Sequence, residues 1–223
     1  MAFQEISRSV SEEIVNSFKI VWEYLGQPGD WWSGPQRIEI AEEIRRSAPR
    51  PLWDRPPPLA DLPDTLNGEL TLFEQAVVER VTVDPSSIDQ VTYGHIVERL
   101  GEDKYAELAS VVTQIVPIDH LHDALGIKRE KLPLAVKGNI SMHRPAGLVN
   151  GIGFLPTLPV DGLPHVAVSL SLALADNARR MLLVRAMYSG QSFGDMIWTH
   201  RSLSRPQVEL VAARTSALNE CFY

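Results

Sequence analysis

The sequence holds one cysteine, Cys221, in the stretch "SRPQVELVAARTSALNECFY". A thiol becomes a strong nucleophile once it ionises. At a helix N-terminus the unpaired N–H groups and the positive end of the helix dipole favour the thiolate, but the chain as written lacks a helix after Cys221 to supply them. Twelve residues earlier stands Glu209, on or beside an apolar stripe formed by Val208, Val211, Ala212, Thr215 and Leu218. A second group able to do chemistry is "IDHLHDAL", which packs Asp119, His120, His122 and Asp123 together. On a helix Asp119/His122 and His120/Asp123 are i,i+3 pairs and could ligate a metal. A solvated helix end, where histidines satisfy terminal carbonyls, is the commoner use of such a cluster.

Other chemistry-bearing residues have plainer readings. Trp31 and Trp32 in "GDWWSGPQRIEIAEEIRR" mark either an interface or packing at a helix start, and packing is favoured. Glu39 lies in a Pro-Gln-x-x-Glu context like that of Glu209, yet no cysteine follows, and it is assigned no catalytic role. His200 and Arg201 just before the Glu209 helix read as a surface turn. "GIGFLP" at 151–156 has glycines but no phosphate-binding helix after it, so it is not a nucleotide loop.

Helices must position these residues. "SVSEEIVNSFKIVWEYLG" spaces Ile14, Phe18, Val21, Trp22 and Leu25 helically, with Gly26 as a stop. "SGPQRIEIAEEIRRSAP" opens with Ser33 and Pro35 and is closed by Pro49. Residues 49–63 hold too many prolines for helix or central strand and read as an extended surface connector. Three helical patterns follow between Glu69 and Gly126. The second is predicted to start at Ser86 or Ser87, and the third to kink or break at Pro117. Residues 127–165 are rich in proline and glycine, and so long a segment either separates two units or wraps one. The helical signal returns in "HVAVSLSLALADNARRMLLVRAMYSG" and in the segment ending at Tyr223, where Ser204 caps and Pro206 enters the first turn.

An internal similarity runs through this pattern. "ELASVVTQIVPID" (Glu107 to Asp119) and "ELVAARTSALNEC" (Glu209 to Cys221) both begin Glu-Leu, and both have Thr six residues on, at Thr113 and Thr215. A chance match of two amphipathic helices is the alternative to a true repeat.

The Glu209-to-Cys221 stretch resembles the alkylhydroperoxidase D-like, or carboxymuconolactone decarboxylase-like, superfamily. Its signature is a Glu, about a dozen residues, Cys-x-x-Cys and then a His. The match covers about twenty residues, including Arg214 five after the Glu, Ser-Ala-Leu-Asn, and an aromatic after the Cys. "PHVAVSLSLALADNARRMLLVRAMY" resembles the helix pair preceding the motif in peroxidase-related members. The resemblance implies an all-α protein of two such helical units joined by a Pro/Gly-rich linker: 1–126 with a degenerate first unit, 127–165 the linker, and 166–223 an incomplete second unit. In the degenerate copy Asp119 and His122 would occupy the two Cys positions. Activity by resemblance is thiol-dependent hydroperoxidase or disulfide oxidoreductase, with Glu209 as proton-relay acid/base and Cys221 as first cysteine of the redox pair. Its substrate would be a peroxide or a disulfide, and its reductant a thiol. No cofactor is implied, and a homo-oligomer is expected.

The sequence departs from the family where the second Cys and the His should follow Tyr223. Little or no peroxidase turnover is therefore expected from the chain as written. A shortened chain, a UGA codon for selenocysteine at the next position, or a remnant used for packing would each account for the departure. The rivals are a non-catalytic helical oligomerisation protein and a carboxymuconolactone decarboxylase-like enzyme, since a shared fold does not fix chemistry.

Bulk properties narrow the classes further. Over 223 residues the formal net charge is −7, which argues against nucleic-acid or anionic-membrane partners. One cysteine excludes an internal disulfide framework and suits a reducing compartment. The polar, acidic N-terminus is no secretory signal, and no run of eighteen apolar residues occurs. A soluble cytoplasmic protein is the expectation.

Overall fold

The computed structural model describes residues 3–47, 58–151, 153–189, 195, 197–199 and 201–218. They form a mostly helical protein with one very small hairpin. Helix α1 spans Glu12–Leu25, with Ser11 accepting from the Ile14 N–H at its start and Gly26 at its end. Helix α2 spans Gly34–Arg46, and the local sequence dictates its entry. Ser33 accepts from the Gln36 N–H while the Gln36 side chain returns to the Ser33 N–H, with proline in the first turn.

The hairpin, β1 (Leu66–Asn67) and β2 (Leu70–Thr71), is absent from the sequence reading. Gly68, at φ +86°, takes the left-handed conformation that its tight turn needs. Glu39 organises this turn, accepting from the Gln75 side chain at 3.0 Å and from the Glu69 N–H. Thr71 then caps α3 (Leu72–Val83) in a second reciprocal box with Glu74. Helix α4 (Gln90–Leu100) is capped by Asp89, not by Ser86 or Ser87 as expected. The reason is local. Pro85–Ser87 close a 3-10 turn, and the Ser87 hydroxyl is already engaged with Arg80 and with the Asp84 carbonyl.

Helix α5 (Glu102–Ala124) is the centre of the fold and runs through Pro117 as one assigned helix. It is buried along most of its circumference from Tyr105 to Ile118, the arrangement expected of a helix packed on all sides. One apolar cluster joins Trp32, Ile40, Phe73, Val77, Ile96, Leu108, Val111 and Ile115. A second joins Phe3, Ile6, Phe18, Val21, Trp22, Ile118 and Leu183. Trp32 is thus a core residue, and its indole N–H donates to the Lys104 carbonyl at 2.9 Å.

The Pro/Gly-rich segment wraps the early helices. The Trp22 indole donates to the Lys131 carbonyl at 2.7 Å, and the Val136 N–H donates to Gly26 at 2.8 Å. Arg144 pairs with Glu102 and Asp103 at the start of α5. Beyond it the expected helical stretch is broken into pieces. These are α6 (His165–Val168), a 3-10 turn at Ser171–Ala173, α7 (Leu174–Val184) and a π-turn at Arg185–Ser189. Helix α7 packs on both α1 and α5. Helix α8 (Arg205–Leu218) follows, and among the described residues no helix is long and apolar enough to cross a membrane. The 49–63 connector falls mostly outside the described residues. Its described end places Leu59 in the core.

Candidate functional site

Ser204 and Gln207 define the start of α8. The Ser204 N–H donates to Gln207 Oε1 at 2.8 Å, and the Gln207 and Val208 N–H groups return to the Ser204 carbonyl. This places Glu209 one turn into the helix. Its Oε2 accepts from the Tyr188 hydroxyl at 2.7 Å, and its Oε1 accepts from Arg205 Nε at 3.2 Å. The carboxylate is 45% exposed, so water reaches it. Burial pushes the Tyr188 phenol up to about 12, with the hydrogen bond and charge of Glu209 adding to it. The phenol therefore stays a neutral donor. Trp198 stands edge-on to Tyr188, at 6.3 Å between ring centroids, and Arg201 and Arg205 lie over its face. Arg201 also donates to the Met187 and Ala186 carbonyls, holding this corner to the π-turn. Cys221 and His200 lie outside the described residues, and Arg214 is exposed.

Arg205 was legible, since it stands four residues before Glu209 on one helix face. Tyr188 was not, because it is brought in by the π-turn from a separate segment. The expected stripe on α8 forms, but no residue of the described helix is buried. Val211 and Leu218 of the stripe are 61% and 55% exposed, and Leu210, outside it, is 72% exposed.

Helix α5, which carries the similar stretch Glu107 to Asp119, treats the aligned residues differently for the most part. Thr113 and Thr215 do behave alike, each donating to the carbonyl four residues back. Glu107 does not resemble Glu209, for it is 0% exposed. Its Oε1 accepts from Arg37 Nη1 at 2.5 Å, and its Oε2 from the Trp31 N–H at 2.6 Å. The other side of the Arg37 guanidinium grips Asp176 with two bonds of 2.9 Å, and its Nε donates to the Leu25 carbonyl. Gln114 and Arg179 complete the shell around Asp176. Gly29 is required beside it, because a Cβ there would lie 1.8 Å from Glu107 Oε1.

This buried network is held by opposed forces. Burial pushes Glu107 above the usual carboxylate range, against the pull of Arg37, while the Asp176 charge pushes the same way. Burial alone would raise Asp176 too, but the charge and hydrogen bonds of Arg37, aided by Arg179 and Gln114, hold it well below that range. Closed to solvent and fully bonded, the cluster ties α2, α5 and α7 together. Sequence reasoning gave it no role. The available signal was a charge at an apolar position in "QRIEIA", "YAELAS" and "LALADNA".

Asp119 and His122 are likewise engaged. Asp119 takes two bonds of 2.8 Å from Arg45, with Arg129 at 3.7 Å. The Nδ1 of His122 lies 2.7 Å from the Ile118 carbonyl, and its ring packs against Phe3 and Phe18. The Nδ1 therefore carries the proton, because a carbonyl can only accept. Asp123 is exposed and paired with Arg129. Among the described residues no group of three or more His, Cys, Asp or Glu is placed to hold a metal. Comparison with protein-family models, with curated proteins and with solved structures finds no match to the chain.

Proposed function

We propose that this chain is of the thiol-dependent hydroperoxidase or disulfide oxidoreductase type, with Cys221 as the redox thiol and Glu209 as the carboxylate that handles its proton. The observation that carries this reading is the hold on Glu209. A neutral phenol and a guanidinium fix the carboxylate while leaving it open to water, so it can take up and return a proton. Two units of one helical type, the first without a working site, complete the reading.

In the proposed reaction the Cys221 thiolate attacks one oxygen of a hydroperoxide and the O–O bond breaks. Sulfur is oxidised to the sulfenic acid, the peroxide is reduced to an alcohol, and the thiol's proton ends on the alkoxide. Restoring Cys221 takes two external thiols, which leave as a disulfide with one water, so little turnover is expected and the oxidation step by itself is the readout.

The test is single-turnover oxidation of the full chain by cumene hydroperoxide, with the sulfenic acid trapped by dimedone and weighed by mass spectrometry. Cys221 should be trapped faster than a free thiol, and both Glu209→Gln and Tyr188→Phe should slow the step about tenfold or more. A rate equal to that of free cysteine, unchanged in both variants, would sink the reading.

The exposed stripe of α8 favours a second reading, a helical oligomerisation protein, and the two share one expectation. A second copy covers α8. Sedimentation velocity should show a concentration-dependent dimer that the double variant Leu210→Glu/Val211→Glu converts to monomer with its helical circular dichroism kept. A wild-type monomer at all concentrations would remove this element from both readings.

A further inference from the structure

A cleft of about 480 Å³ opens on the side of α5 away from Glu107. Tyr105 and Ala109 of α5 form its floor, Phe154 and Leu155 one wall, and Val166 and Leu170 the other. The walls are pinned from outside. The backbones of Val149 and Thr157 exchange two hydrogen bonds of 2.9 Å at the base of the first. Tyr93 stacks on Phe154, with ring centroids 4.8 Å apart, and meets Tyr105 edge-on at 5.8 Å. The second wall is tied to α7. Asn177 donates to the Ala167 carbonyl at 2.8 Å, and Arg180 donates to Val166. A cleft braced from behind on both sides stays open without an occupant, which lowers the cost of binding one.

Its lining decides the chemistry. Among the described residues no Asp, Glu, Lys or Arg lines it, so a charged ligand would be desolvated there without a counter-charge. Polar side chains are few: the Thr157 hydroxyl, the His165 imidazole, the Tyr105 phenol and the Ser169 hydroxyl, which donates to the Val166 carbonyl at 3.2 Å. Tyr105 is only 9% exposed, and no hydrogen bond of its phenol occurs among the described residues. Burial, with Tyr93 beside it, pushes the Tyr105 phenol up to about 12, so it remains a donor. A volume of this size lies within the range of small-molecule sites and equals roughly sixteen water volumes.

We propose that this cleft is a binding site for a neutral amphipathic small molecule, an aryl or medium-length alkyl group with one hydrogen-bonding end. The apolar part lies between Phe154, Ala109 and Leu170, and the polar end meets Tyr105 or Thr157. The inference does not rest on the redox reading of Glu209.

The test uses the full chain and the neutral fluorophore N-phenyl-1-naphthylamine. Saturable one-to-one enhancement at micromolar probe is expected, and the anionic 8-anilino-1-naphthalenesulfonate should bind at least about tenfold more weakly. Ala109→Trp fills the floor and should abolish binding with the helical circular dichroism unchanged. If that variant does not fold, Val166→Trp at the exposed mouth takes its place. Leu210→Glu/Val211→Glu should leave binding intact. Failure of the neutral probe to saturate overturns the proposal. So does equal binding by the filled variant, preference for the anionic probe, or loss of binding in the α8 double variant, which would place the probe on the exposed helix.

Discussion

Replacing Arg37 by Met lowers the free energy of unfolding by about 3–5 kcal/mol. The substitution keeps most of the side-chain volume but removes the single cation between two buried carboxylates, Glu107 and Asp176. Asp176 retains Arg179 and Gln114, while Glu107 is left with only the Trp31 N–H. An uncompensated buried charge is far more costly than the absence of the whole pair. Much of the loss should therefore return in the double variant Arg37→Met/Glu107→Gln, which removes the stranded charge with its cation. Urea unfolding followed by circular dichroism reads this as a lower midpoint at unchanged slope. A loss below about 1 kcal/mol, the range of surface ion pairs, would mean that the cluster does not hold α2, α5 and α7 together.

These two carboxylates should also make stability fall on both sides of about pH 4, with a different one responsible for each side. Asp176 is held below its unfolded value of about 4. Its contribution is full above that value and is lost as the pH falls toward the folded one. Glu107 is raised above its unfolded value, also about 4. Its contribution is full below that value and is lost as the pH rises through the folded one. Asp176→Asn should thus flatten the acid limb at a large cost near neutrality, because Arg37 loses its two-bonded partner. Glu107→Gln should flatten the other limb and become relatively more stable as the pH rises. Denaturation midpoints measured from pH 3 to 8 separate the two. Parallel curves for wild type and both variants would show that neither group titrates with folding.

Much of the helical frame could be read from the sequence because its signals are local. Gly26 as a stop, Ser33 with Pro35, and Ser204 with Pro206 each act within one turn of chain, and each stands at the predicted end. The hairpin escaped because strands of two residues cannot show alternation, although Asn67-Gly68 is a turn signal. The cap of α4 was misplaced because Ser87 had nearer partners, a competition that composition does not reveal.

At the candidate site the sequence alone placed Glu209 on a helix with an apolar stripe, since both follow from helical periodicity; its i,i+4 partner Arg205 was within reach of the same reasoning but was not singled out. It could not determine that the stripe lies open, because burial depends on what else reaches that face. Nor could it supply Tyr188, which arrives from another segment. The Arg37–Glu107–Asp176 cluster shows the same limit most clearly. Its members are separated by 70 and 139 positions, and a charge at an apolar helix position does not by itself say which distant residue meets it. Only the packing of α2 and α7 against α5 brings them within hydrogen-bond reach and away from water. Burial raises both carboxylates, and the stronger hold of Arg37, with Arg179 and Gln114, on Asp176 drives the two apart.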